Sequence, residues 1–285
     1  MRDEKMLIKF KRKLEIINDI PQLKYGLILL GLLLVIALFA PIIAPYDPYA
    51  LSNDTVSPPS KSHLLGTDGL GHDMFSMIVY GARTSLVIGV IAALISGLIG
   101  TILGGIAGFY GGKADRFLNE ITNIFFITPT FFLILIIVAL YGSSIINVIL
   151  VIGLTVWTGN ARLMRAQAMS LRERTFVKSA FAIGESKRQV LFKHIIPNGI
   201  FPIISNTTMN ISAAILIESG LSFLGLGDPN VISWGQIVSD GRSYLTTAWW
   251  ISTFSGLCIV FTVLAFYLVG DGLNRVLSPK LSNHS

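Results

Sequence analysis

Three places in this 285-residue chain carry residue types that do chemistry in other settings. The first is Gly108-Phe-Tyr-Gly-Gly-Lys113-Ala114. A phosphate loop needs Gly, four residues, then Gly-Lys-Ser/Thr, so that backbone amides cradle phosphate oxygens and the hydroxyl meets magnesium. Counting back from Gly112 puts Ala107 where the first Gly belongs, and Ala114 replaces the hydroxyl residue. This excludes the stretch as a nucleotide site. The second place is the pair His63 and His72, nine residues apart with no Cys or carboxylate set at ligand spacing, so no metal site is expected. Gly225-Leu-Gly227 is too short for a dinucleotide fingerprint, and no Ser, His and acid constellation is legible. The expectation is a chain with no catalytic residue and no cofactor of its own.

The third place is the segment 177–198, which holds Lys178, Glu185, Lys187, Arg188, Lys193 and His194 between strongly apolar neighbours. Phe176, Val177, Ala180 and Phe181 share one side of a helix expected over 172–183. Gly184 follows as a helix-ending residue. Ser186 and Gln189 have the spacing of a capping box, which starts a second helix. Val190, Leu191, His194 and Ile195 line one face of it, and Pro197 is expected to end it before the next apolar run. The residues leave two readings open: an amphipathic hairpin lying on anionic lipid, or a docking element for a soluble partner.

The elements that position this segment follow from composition. The chain is 52% hydrophobic and only 13% charged, with a mean hydropathy of +0.68. Soluble domains are about a quarter charged, so lipid, not a larger core, is the solvent implied. Its one cysteine, Cys258, excludes an internal disulfide framework. A spanning helix needs about 20 mostly apolar residues. Six candidates meet or approach this: 25–44, 85–110, 121–141, 145–158, 199–217 and 248–269. The first is too long for a secretory h-region and reads as an uncleaved anchor.

The fold expected is thus an all-α membrane protein of six transmembrane helices. Nineteen of the 22 Lys and Arg residues fall in 1–24, 111–120, 159–198 and the end of the chain. The opposite side keeps Lys61, Arg83 and Arg242 against six aspartates. By the positive-inside bias, both termini and the loop 159–198 are cytoplasmic. The organisation expected is a cytoplasmic tail 1–24, a first span 25–44, an extracytoplasmic loop 45–84, a membrane domain 85–270 and a cytoplasmic tail 271–285. The net charge of +6 then reports topology, not a nucleic-acid partner.

Within the spans, Gly100, Gly104 and Gly108 form a small-residue stripe suited to close helix packing. Asn206 and Asn210 are four apart and share a face. They either bond to neighbouring helices or line a polar pathway. Glu218 falls near the outer end of that span. The Gly- and Pro-rich segments 46–82 and 219–242 share one side and are expected to form a lid or docking surface.

The segment 178–198 resembles the signature loop of ABC importer permeases: Glu-Ala-Ala, three residues, Gly, nine residues, Ile-x-Leu-Pro. Ala180 matches the second Ala and Gly184 the Gly, and nine residues then lead to His194-Ile195-Ile196-Pro197-Asn198. Lys178 and Ser179 stand where the Glu and first Ala belong. The stretches HLLGTDGLGHDMFSMIVYGARTSL, ESGLSFLGLGDPNVISWGQIVSDGR and LVGDGLNRVLSPK also resemble the C-type subunit of the dipeptide/oligopeptide and nickel permeases. That branch usually has Arg where His72 stands and often ends Asp-Pro-Arg where Ser278-Pro279-Lys280 stands here.

The resemblance implies a type I importer permease fold in a bacterial or archaeal cell membrane. The implied partners are a second, B-type permease, two cytoplasmic ATPases that bind ATP and Mg, and an extracytoplasmic binding protein. Peptides are the implied cargo, with nickel or another metal chelate as the alternative. A stand-alone channel or secondary carrier is a third reading. Ala180, Gly184, His194, Ile195, Pro197 and Asn198 are then the coupling residues. An Asp side chain at 184 is expected to crowd the corner and uncouple transport.

Overall fold

The computed structural model describes residues 19–277; the basic tail before it and the Ser278-Pro279-Lys280 end lie outside the described residues. The regular elements of the described chain are all helices; the longest irregular connection is 44–73, which carries an isolated bridge between Thr67 and Asp73. Helix α1 is Pro21–Leu38, followed by one turn, Ala40–Ile43. Helix α2, Met74–Tyr110, is the longest at 37 residues. It begins well before residue 85 because Asp73 caps it, its carboxylate accepting from the Ser76 amide at 2.8 Å.

Where one span was expected over 121–141, the chain forms α3, Gly112–Ile127, and α4, Thr130–Tyr141, meeting at 85°. Pro129 explains the break. It donates no amide hydrogen, and it holds Thr128 in extended geometry (φ −73°, ψ 125°). Helices α5, Ile145–Thr155, and α6, Thr158–Arg172, run on as one candidate span, Ile145–Arg172. The first part of the expected loop 159–198 is therefore helix.

Next come α7, Thr175–Ala182, and α8, Lys187–Val190. A π-helical turn, Leu191–Ile195, leads into α9, Ile196–Gly199. Helix α10, Phe201–Phe223, departs from the preceding helical run by 62°. An amphipathic α11, Trp234–Gly241, and α12, Trp250–Leu277, complete the order. Among the described residues, four helices are long and apolar enough to cross a membrane, or up to six if each bent pair is one span.

Helix α2 is the spine, packing along α6, α10 and α5. Helix α12 packs on α10, α1 and α11. The glycine stripe sets the closest approach. A Cβ on Gly104 would strike the Ala161 carbonyl oxygen, one on Gly108 that of Arg165, and one on Gly100 the side chain of Asn160. These three glycines let α2 lie backbone to backbone on α6.

At one end of the bundle the connecting segments tie together. The Trp250 indole donates to the Thr67 carbonyl at 3.1 Å, and the Trp234 indole to the Ile78 carbonyl at 3.0 Å. The two Gly-rich segments expected to form one surface therefore do meet.

Candidate functional site

The corner at Gly184 is a Schellman motif. The Gly184 amide donates to Phe181 O at 3.0 Å and the Glu185 amide to Ala180 O at 3.1 Å. Gly184 has φ +89°, a conformation that side chains with a Cβ disfavour. A Cβ there would meet nothing within 4 Å, so the expected crowding is corrected: within this chain the constraint is the backbone, not space.

The second arm starts as expected. Ser186 and Gln189 form the full capping box, with Ser186 N donating to Gln189 Oε1 at 2.9 Å. Its end is not as expected. Pro197 lies in the first turn of α9 and does not stop the helix, which breaks at Ile200 instead. The π turn Leu191–Ile195 immediately before it changes the hydrogen-bond register, which accommodates a residue with no amide hydrogen. The Asn198 side chain donates to the His194 carbonyl at 2.7 Å.

The apolar face of the two arms turns inward. Val177, Ala180, Val190, Leu191 and Ile195 are all buried, packed with Met164, Ala168 and Phe109 at the ends of α6 and α2. What the corner exposes is Ile183, 80% accessible, with Phe176 and Phe181 half exposed and Lys178, Lys187 and Arg188 around them. Phe181 also stacks on Phe109, centroids 6.4 Å apart. Ala180 and Ile195 thus hold the shape of the segment, while Gly184, Pro197 and Asn198 lie on its surface. His194 is joined to Glu185, Nε2 to Oε2, at 2.7 Å.

Asn206 on α10 donates to Asn160 Oδ1 on α6 at 2.9 Å, and Asn160 Nδ2 reaches Ser96 on α2 at 3.4 Å. Asn160 is completely buried. Asn210 is not part of this chain of bonds; its Nδ2 is buried without a hydrogen-bond partner among the described residues. Sequence reasoning missed Asn160, which fell at the start of the expected loop 159–198, just beyond the expected span 145–158. It also underrated Glu218, which is 4% exposed and accepts from Ser222 at 2.9 Å and Ser233 at 2.7 Å. Ser233 caps α11, so Glu218 fastens that helix to α10.

His63 and His72 do not share a site. His63 Nδ1 pairs with Asp73 at 2.9 Å and His72 Nδ1 with Asp68 at 2.7 Å. No group of three His, Cys, Asp or Glu residues among those described is placed to hold a metal. Gly111 and Gly112, both at positive φ, make the turn from α2 into α3.

A bundle of helices long and apolar enough to cross a membrane, with a helix–corner–helix seated at one end, is the architecture of a multi-pass integral membrane protein. Residues 100–283 match the family described as binding-protein-dependent transport system inner membrane component. Residues 24–62 match the N-terminal transmembrane domain of oligopeptide transport permease C. The chain belongs to this family of ABC importer permeases and is a multi-pass integral membrane protein.

The dipeptide transport system permease protein of Alkalihalophilus pseudofirmus is 38% identical over 261 residues, 90% of this chain and 86% of that protein. The oligopeptide transport system permease protein of Bacillus subtilis is 38% identical, covering 90% and 85%. The glutathione transport system permease protein of Escherichia coli is 40% identical, covering 88% and 84%. Among solved structures, a chain of the inward-facing MetNI methionine ABC transporter superposes with a TM-score of 0.57 at 19% identity, covering 72% of this chain and 98% of that one.

Proposed function

We propose that this chain forms half of the translocation pathway of an ATP-driven peptide importer, and that 175–199 is its coupling element. The observation that carries this reading is the corner at Gly184. Both arms are anchored by buried side chains on the ends of α2 and α6, while Ile183 and its basic neighbours are left free. A segment fixed on the bundle side and exposed on the other transmits a push from a docked partner directly into two spans. Peptide cargo follows from the substrates named for the relatives, two kinds of peptide permease and a glutathione permease. Nickel is not favoured by them.

In this reading both termini and the coupling element face the cytoplasm, as the Lys and Arg distribution requires. Two ATPases bind ATP and Mg there. A second permease completes the pathway, and a binding protein delivers cargo on the opposite face. This chain performs no hydrolysis. Asn206 and Asn210 are the polar residues of α10 proposed for the pathway.

The test is reconstitution of the complex in liposomes with external binding protein and internal ATP. Uptake of a labelled dipeptide that requires both, and that falls when Ile183 is replaced by Asp with assembly intact, supports the assignment. Uptake independent of ATP moves a carrier to the front. Isolation of the chain without ATPases in mild detergent removes the coupling role.

A further inference from the structure

At the end of the bundle away from the coupling element, a cavity of about 550 Å³ opens between the segment 48–72 and α11. Its charged and ionisable side chains are Asp68, Asp240 and His72, with Gln236, Ser239, Ser243 and Tyr244 adding neutral polar groups. Asp68 is fully engaged: its carboxylate accepts from the Leu70 and His72 amides at 2.9 and 2.8 Å and meets His72 Nδ1. Asp240 is at the rim; among the described residues its carboxylate accepts at Oδ1 alone, from Gln236 at 3.2 Å. Partial burial and then the Asp68 carboxylate raise its pKa above the ordinary aspartate range, with His72 opposing. A cation placed beside Asp240 opposes both of these effects.

Two large apolar residues, Tyr49 and Leu70, line the same cavity and are 59% and 64% exposed. They lie on a connecting segment outside every helix long enough to cross, so lipid does not account for their exposure. Arg242, the basic residue closest in sequence, is turned over the Phe223 ring at 5.6 Å. An apolar rim around an acidic recess is the shape that receives one long cationic anchor from a protein surface.

We propose that this recess seats a lysine or arginine side chain of the extracytoplasmic binding protein, with Asp240 as its counter-ion and Tyr49 and Leu70 packing along its aliphatic stem. The proposal rests on the importer reading and names how that partner registers on this chain.

The experiment measures anisotropy of a labelled binding protein on the complete complex in nanodiscs, at several salt concentrations, for native protein, Asp240→Asn, Asp240→Lys and Asp240→Glu. The expected result is about tenfold weaker docking for Asp240→Asn and a larger loss for Asp240→Lys. Asp240→Glu recovers the affinity, and the ATPase rate at saturating binding protein stays native. Because Asp240 sits at the cavity rim, partly shielded but open to solvent, these variants do not disturb the core. Native affinity in both Asn and Lys variants overturns the proposal. So does loss of dipeptide binding, measured without binding protein, while docking is unchanged; the recess then belongs to the solute. No docking to the native complex at any salt concentration removes the importer reading itself.

Discussion

Glu185 Oε2 lies 2.7 Å from His194 Nε2, and this bond ties the residue just after the Gly184 corner to the second arm. Glu185 is the residue after the left-handed glycine, a position that often adds an apolar contact to the helix just ended. Here it reaches forward to the next helical segment instead. The same residue therefore closes one arm, through its amide to Ala180, and holds the other, through its carboxylate.

Removing either partner is expected to loosen the corner without unfolding the bundle, because both side chains are partly exposed. The pair contributes about 0.5 kcal/mol, as part-exposed pairs do. Glu185→Gln and His194→Ala should each lower transport per ATP hydrolysed, and the double variant should be no worse than the poorer single one. Additive losses, measured in liposomes, contradict a shared role.

Gly184 is constrained by its φ of +89° and not by neighbours. Gly184→Asn should retain the most coupling, Gly184→Ala less and Gly184→Val least, with Ala costing about 1–2 kcal/mol locally. ATPase stimulation across the three variants checks the order. Equal defects in all three point to a partner packed against position 184.

Gly104→Ala should lower the melting temperature of the purified complex, since the added carbon meets the Ala161 carbonyl. Overpacking of this kind costs about 1–3 kcal/mol. Gly256→Ala in α12 meets nothing within 4 Å and serves as the control. Similar melting of both variants contradicts the close α2–α6 approach.

Glu218→Ala should destabilise the α10–α11 junction by about 1–3 kcal/mol, because the buried Ser222 and Ser233 hydroxyls lose their acceptor. Protease sensitivity of the 224–249 segment is the readout. Glu218→Gln, which keeps an acceptor oxygen, should be milder.

Asp240 gives a pH dependence with a definite sign. Its pKa is raised in the folded chain, by burial first and the Asp68 carboxylate next. The native state then holds the proton more tightly than the unfolded state does. The contribution of Asp240 to stability therefore falls as pH rises from the ordinary aspartate value through the raised one. Asp240→Asn should melt higher than native near neutral pH, and the gap should close below the ordinary aspartate pKa. A gap that widens on acidification reverses the assignment.

Much of this was legible in the chain itself. The capping box, the helix-ending glycine and the small-residue stripe are local or short-period patterns, and each took the structure its residue types imply. The proline effects were harder to read. Pro129 broke an apolar run that looked continuous, whereas Pro197 did not break the helix it was expected to end. A π turn rescued the second, and nothing local distinguishes the two.

The sequence by itself determined the lipid-soluble class, the number of apolar runs and the position of the corner, because hydropathy and backbone preference are properties of neighbouring residues. Only the tertiary structure decided which face of the corner is buried. Val177 and Ile195 could pack on a partner or on their own bundle with equal local propensity, and the choice rests on the ends of α2 and α6 lying beneath them. The same holds for Glu185 with His194, Asn160 with Asn206, and Asp240 near Asp68. Their spacings match no helical or strand period. Such pairings arise when distant segments are brought within hydrogen-bond or Coulomb range, and this is a property of the packed bundle alone.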